Sequence, residues 1–303
     1  FSLKMSVTSH HYEKQNFSDP ITWGNPVVME LETFKVCIDK IPKNVVIHFS
    51  GFAEPWLNPQ CTEMVLYTHQ TGHKIAVYTT IVGMTTLDVD KIKEIPFDVF
   101  CIHLPDIEKY AKIAINQKFI ELLEYITNSI SNLSFMSMGT VPKDILEVIK
   151  IQHMDADIMV DRARNNELGV HIDKKNGPLV CSISSKNGKN ILDDNILLPS
   201  GDVSLCCMDY GIEYIIGNLL TENYSSLFTN KRFLDIQKKM NSENDDILCR
   251  VCNVSMNSKK MENLETSDIL FCNGCGQAID KKDLGGYRKD GKGICINCVS
   301  KIS

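Results

Sequence analysis

Val45–Asn58, VVIHFSGFAEPWLN, decides how the rest of the chain is read. A β-branched apolar run, Val45-Val46-Ile47, leads to Ser50-Gly51, where a chain turns readily. Glu54-Pro55 follows, and Asn58 stands as an N-cap ahead of Pro59 at a first helical position. The stretch reads strand, tight loop, helix. Loops after the C-terminal ends of parallel strands are where α/β folds keep ligands, which makes Glu54 a candidate site residue. Alone, the stretch is an ordinary βα connection with a solvated carboxylate; its neighbours argue otherwise.

Working outward, strand candidates at 45–49, 74–79, 98–103, 132–137 and 156–160 alternate with helical stretches near 59–70, 88–94, 107–128 and 142–152. Asp106 reads as the cap of the long third helix, and Pro142 sits where a first turn tolerates it. Alternation of this kind predicts right-handed βαβ units and a parallel sheet. An earlier helix places Leu31, Phe34, Ile38 and Ile41 on one face and stops at Pro42. No strand is visible before it, so a leading strand upstream of Phe1 is expected. Residues 1–28 are polar and turn-rich and read as an exposed loop, with His10-His11 a solvated pair.

The chain has 303 residues, room for one large domain or two smaller ones. Its composition is that of a globular protein, and no apolar run is long enough to span a bilayer. Net charge is −6 with scattered Lys and Arg, which disfavours nucleic acid or an anionic membrane as partner. The 12 cysteines crowd toward residues 181–303, and with no secretory signal in view they point to metal or iron–sulfur ligation in a reducing cytoplasm. Cys37, Cys61 and Cys101 lie in apolar periodic segments and read as buried small hydrophobes.

After about 165 the rhythm changes to Gly-, Asn-, Asp- and Lys-rich sequence, with extended pieces at 178–184 and 194–198. A helix carrying Leu227, Phe228, Phe233, Ile236 and Met240 follows. The Cys- and Gly-rich tail from 249 builds little core unaided, and metal ligation would supply the missing stability. Three domains are expected: 1–165, 166–255 and 256–303.

Ser-Gly-Phe-Ala-Glu-Pro at 50–55 resembles the Gly-Gly-Glu-Pro-like loop of radical S-adenosylmethionine (SAM) enzymes, which holds the methionine amino group. Met29–Phe34 looks like that family's first helix, Tyr78-Thr79-Thr80 stands at its Thr-Asn-Gly position without the asparagine, and Ile102–Asp106 and Asp161-Arg162-Ala163 resemble two later strand ends. The resemblance covers about 30–165. It implies a partial (β/α)6 TIM-like barrel missing its first strand, with Ala53, Glu54, Pro55, Thr79 and Thr80 around SAM. His103, at a strand end, is a candidate cleft residue, with a histidine satisfied in the wall as the plainer reading.

Downstream, Cys181, the run Leu198–Cys206, Ile216-Gly217-Asn218-Leu219, Phe228 to Phe233 and Cys249-Arg-Val-Cys252 resemble the SPASM/twitch extension of that family. The resemblance implies an auxiliary [4Fe–4S] cluster on Cys181, Cys206, Cys249 and Cys252. Cys207 would face the other way, since neighbouring strand side chains alternate. Ser258 stands where a further cysteine is expected, which favours one auxiliary cluster over two. Cys272-x2-Cys275 and Cys295-x2-Cys298, with 19 residues between, have zinc-ribbon spacing. Zinc and a second iron–sulfur cluster both suit four thiolates.

One element of the family is missing. The C-x3-C-x2-C loop that holds the SAM-cleaving cluster after the first strand occurs nowhere in the chain. Either the loop lies upstream of Phe1, or the opening Phe-Ser-Leu-Lys-Met-Ser is that loop with Leu3 and Ser6 in cysteine positions. Two functions follow from the resemblance. One is a radical SAM/SPASM enzyme acting on a small-molecule or peptide substrate with an electron donor such as a flavodoxin or ferredoxin. The other is a non-catalytic, metal-stapled binding module of the same descent.

Overall fold

The computed structural model describes residues 2–12, 23–157, 163, 172–186 and 189–258, with 269–271, 278–280, 284–287 and 293–295 in the tail. In chain order the elements are β1 (Ser2–Met5), β2 (Thr8–Tyr12), β3 (Trp23–Val28), α1 (Leu31–Ile38), β4 (Val46–Phe49), α2 (Cys61–Gln70), β5 (Ile75–Thr79), α3 (Thr86–Ile92), β6 (Val99–His103), α4 (Gln117–Ser129), β7 (Leu133–Met136) and α5 (Lys143–Val148). Then come β8 (Leu179–Cys181), β9 (Ser185–Lys186), β10 (Lys189–Asn190), β11 (Asp194–Leu197), β12 (Asp202–Ser204), β13 (Ile215–Asn218), α6 (Lys231–Asn241), β14 (Ser255–Asn257), β15 (Ile269–Phe271), β16 (Ala278–Asp280), β17 (Leu284–Tyr287) and β18 (Gly293–Cys295). They form two compact units. The first is Phe1–Ala156, Asp194–Cys207 and Ile215–Phe228; the second is Asp157–Asp193, Met208–Tyr214 and Thr229–Ser303.

An eight-stranded sheet, in the order β13-β12-β11-β1-β4-β5-β6-β7, organises the first unit. From β11 to β7 every neighbouring pair is parallel, and β12 and β13 add antiparallel hairpins at one edge. Alternation along each strand sends Leu3, Met5, Ile47, Phe49, Ile75, Val77, Phe100 and Ile102 to one face, all at most 1% exposed. Such a side chain contributes about 1.5–3 kcal/mol when fully buried. The α1 residue Phe34 meets Phe49 there, with ring centroids 5.9 Å apart. Helices α1 to α4 pack in sequence, each against the next.

The leading strand is present, which corrects the expectation that it lies upstream. Ser2–Met5 pairs in parallel with both β4 and β11, placing Lys4 opposite His48 and Ile196. Four residues with a lysine in the middle give almost no periodic signal. Here tertiary pairing settles the conformation, with the Lys4 ammonium salt-bridged to Asp194. Of residues 1–28, which were expected to be a loop, the described ones include strands: β2 and β3 pair antiparallel between β1 and α1.

Two helix starts are also corrected. Asn58 does not cap a helix beginning at Pro59; a short 3-10 turn, Pro55–Leu57, precedes α2, whose N-cap is Gln60. Asp106 caps no helix: its two oxygens accept from the backbone N–H groups of Tyr110 (2.8 Å) and Ala111 (2.9 Å) and fold an irregular loop. The long helix α4 begins later, where the Asn116 side chain accepts from Phe119 N at 3.0 Å. Of the strand expected at 156–160, residues 158–160 lie outside the described residues, and so do Asp161 and Arg162.

In the second unit β8 pairs antiparallel with β14, setting Cys181 opposite Ser255. Helix α6, capped by Asn230, buries Phe233, Ile236 and Met240. Among the described residues no helix is long and apolar enough to cross a membrane.

Candidate functional site

The stretch Ser50–Pro55 leaves the C-terminal end of β4 beside the end of β1. Gly51 has φ +142°, and a Cβ there would meet Ser6 Cβ at 2.9 Å, so glycine is required for the close approach. Phe52 N donates to Ser6 Oγ at 3.3 Å. Ser6 and Leu3 are thus a strand-end contact and a core residue, which corrects their reading as replaced cluster ligands.

Glu54 then turns back toward β5. Its Oε1 accepts from Trp56 N (3.0 Å) and Thr79 Oγ1 (2.7 Å); its Oε2 accepts from Thr80 N (2.5 Å) and Thr80 Oγ1 (2.7 Å). The structure therefore brings Glu54, Pro55, Thr79 and Thr80 together, with Ala53 adjacent in the chain. A carboxylate has about four lone-pair sites, and all are engaged by the protein's own donors. Burial pushes the Glu54 pKa up against the pull of these bonds. As it stands, the carboxylate is a structural tie and leaves no acceptor site for an added ammonium group. Glu54→Gln puts an NH2 group among donors, and we expect it to lower stability by about 3 kcal/mol in urea unfolding.

On the sheet face opposite the buried apolar set, adjacent strands carry Lys4, His48, Tyr78 and His103 in half-buried positions. Lys4, salt-bridged to Asp194, also donates to Cys207 Sγ at 3.5 Å. Burial pulls the Lys4 pKa down, but the charges of Cys207 and Asp194 outweigh it and leave the value raised. The His48 ring stacks on Tyr78 with centroids 5.9 Å apart and planes 17° apart. His48 Nδ1 and Ser50 Oγ are buried without a hydrogen-bond partner among the described residues. Of this row the sequence singled out only His103; Lys4 and His48 each hold the polar position in an alternating strand, which was the available signal.

The second unit holds three of the expected cluster cysteines. Cys249 and Cys252 are buried at a short 3-10 turn, Leu248–Val251, and Cys181 is half-buried at the end of β8. Burial pushes the Cys249 thiol well above its ordinary pKa, and the nearby Cys252 and Cys181 push the same way, while Lys175 opposes them. The three sulfurs are thus within electrostatic reach of one another. Among the described residues no three His, Cys, Asp or Glu side chains gather closely enough for a single metal ion. A cubane asks less convergence, because each thiolate binds a different iron. The soft donor set of Cys181, Cys249 and Cys252 fits such a cluster. Cys206 belongs to the first unit, half-buried after β12. Cys272, Cys275 and Cys298 lie outside the described residues, and of Cys295 only its place in β18 is described. Cys37, Cys61 and Cys101 are buried as expected; burial pushes Cys37 up to about 11.

A family model for the SPASM iron–sulfur cluster-binding domain matches residues 192–253. No curated protein matches the chain in sequence. Solved structures share the fold at low identity. BtrN in complex with AdoMet and 2-DOIA matches with a TM-score of 0.53 at 13% identity, covering 80% of this chain and 87% of that one. Streptococcus suis SuiB bound to precursor peptide SuiA matches at 0.55 and 10%, covering 84% and 69%. Native anSMEcpe with bound AdoMet and Kp18Cys peptide matches at 0.50 and 10%, covering 99% and 94%. The chain thus carries a SPASM-type iron–sulfur cluster-binding segment at residues 192–253 and shares its fold with the BtrN, SuiB and anSMEcpe structures.

Proposed function

We propose that this chain is an iron–sulfur protein that does not cleave SAM, a metal-stapled binding module on a radical SAM/SPASM scaffold. One observation carries the reading. SAM cleavage needs a cluster with one open iron, and in the resembled family three cysteines between the first strand and first helix hold it. Here that connection, residues 6–30, contains no cysteine, and its strands β2 and β3 pair with each other. Its two ends are sewn together: Met29 N donates to Val7 O at 2.9 Å, and Asn58 Nδ2 donates to Val7 O (3.0 Å) and Met29 O (2.8 Å). Asn58 is 1% exposed, so these bonds are made away from water and are costly to break.

The bound cluster would supply a low-potential one-electron centre on Cys181, Cys249 and Cys252, and the sheet face carrying Lys4, His48 and Tyr78 would hold a small-molecule or peptide ligand. A second reading, SAM binding without cleavage, draws on the grouping of Glu54, Pro55, Thr79 and Thr80 and on the AdoMet in the BtrN and anSMEcpe complexes. Filled acceptor sites on Glu54 weigh against it.

Anaerobic reconstitution followed by iron, sulfide and zinc analysis and electron paramagnetic resonance tests the proposal. About four irons per chain are expected, lost in the Cys249→Ser/Cys252→Ser double variant, with a spectrum indifferent to SAM and no calorimetric SAM binding. A SAM-responsive cluster, or release of 5′-deoxyadenosine under reduction, overturns it.

A further inference from the structure

The turn that presents Cys249 and Cys252 is tied to Lys175 by backbone and side-chain bonds. Lys175 N donates to Arg250 O at 2.8 Å, and Arg250 Nη1 returns a bond to Lys175 O at 3.1 Å. The Lys175 ammonium donates to Cys252 O, which also accepts from Ser255 Oγ at 3.1 Å. Ser255 Oγ donates to Cys249 O as well, and Ser255 lies opposite Cys181 across the β8–β14 pair. The backbone carrying all three thiols is therefore braced at one place, with the Lys175 charge felt at Cys249. Among the described residues, no carboxylate is salt-bridged to Arg250, which is 1% exposed. The Lys175 ammonium thus sits on the backbone of the turn that carries two of the soft anionic ligands.

We propose that Lys175 is a positioning residue of the iron–sulfur site, bracing the Cys249–Cys252 turn and biasing a bound cluster toward its reduced state. This rests on the reading that Cys181, Cys249 and Cys252 carry the cluster. Reduction adds one electron, supplied in the test by dithionite, and makes no bond and breaks none. It adds one negative charge, so a neighbouring cation stabilises the reduced form more than the oxidised form. Residues outside the ligand sphere orient the ligands and tune the metal in the same way elsewhere.

The test uses the full chain, reconstituted anaerobically, as wild type, Lys175→Gln and Lys175→Arg. Readouts are iron content, the rate of iron loss to a chelator, and the midpoint potential followed by electron paramagnetic resonance during dithionite titration. Lys175→Gln is expected to load iron, to lose it to chelator about tenfold faster, and to have a more negative midpoint. Lys175→Arg keeps the charge and is expected to restore the midpoint. A Lys175→Gln protein with wild-type iron retention and midpoint overturns the inference while leaving the cluster intact. Failure of Lys175→Arg to restore the midpoint of Lys175→Gln overturns the charge effect. A wild-type chain that takes up no iron overturns the cluster reading itself, and this inference with it.

Discussion

Arg250→Met is expected to lower stability by about 4 kcal/mol, a large fraction of the margin of an ordinary domain. The guanidinium is fully buried and spends its donors on backbone oxygens. Nε donates to Asp245 O (2.6 Å), Nη1 to Lys175 O and Gly177 O (both 3.1 Å), and Nη2 to Ser242 O (2.9 Å) and Lys239 O (3.5 Å). Lys239 and Ser242 are at the C-terminal end of α6, where unsatisfied carbonyls concentrate negative partial charge. That is how a charge is tolerated here without a salt-bridged carboxylate: a converging set of carbonyl dipoles replaces its hydration. Methionine has similar length but leaves these acceptors dry and unpaired, each at a cost of about 1 kcal/mol or more. Thermal and urea unfolding of the metal-free protein measure the loss. A change below about 1 kcal/mol would mean that water reaches the site and that the residue is not the anchor described here.

Arg250 also marks what the sequence could and could not reveal. Cys249 and Cys252 announce themselves by type and spacing, because a pair of thiols with two residues between them is a common ligand spacing. The arginine between them looks like any solvated residue of a turn; contacts with residues 175–177 and 239–245 make it the largest fully buried side chain among the described residues. The same division holds in the first unit. Strands β4 to β7 were legible since runs such as Ile75-Ala-Val77 and Val99–Ile102 are apolar and mostly buried. The placement of Glu54 beside Thr79 and Thr80 was expected from the family resemblance of the two strand ends, and the hydrogen bonds between them agree. Ser2–Met5 was not, for its register depends on Asp194 and Leu197, some 190 residues away. Asp106 misled in the opposite sense: an aspartate before an amphipathic stretch is a good helix cap by rule, but here its carboxylate closes a loop five residues long, and the helix waits for Asn116.

The stability of the first unit should fall by about 2 kcal/mol as pH drops from 7 to 5, and by about 3 kcal/mol at pH 4, through His48 alone. Burial lowers its pKa from 6.5 to about 4, and the Lys4 charge adds to the effect while Asp194 and Asp98 oppose it. A histidine depressed in the folded state is neutral there at a pH where the unfolded chain has already bound its proton. Between pH 6.5 and about 4 the unfolded chain therefore holds more protons, so stability is present above that window and is lost as pH falls through it. His48 Nδ1 has no partner among the described residues, so protonation gains no hydrogen bond there to offset the burial of charge. His48→Gln removes the titration, and the difference in unfolding free energy between wild type and variant should shrink by about 2 kcal/mol between pH 7 and pH 5. Equal pH profiles for the two proteins would show that the imidazole is solvated. The direction also bears on the ligand proposed for this face: a neutral imidazole beside a lysine already paired with Asp194 would favour recognition by hydrogen bonds over recognition by charge.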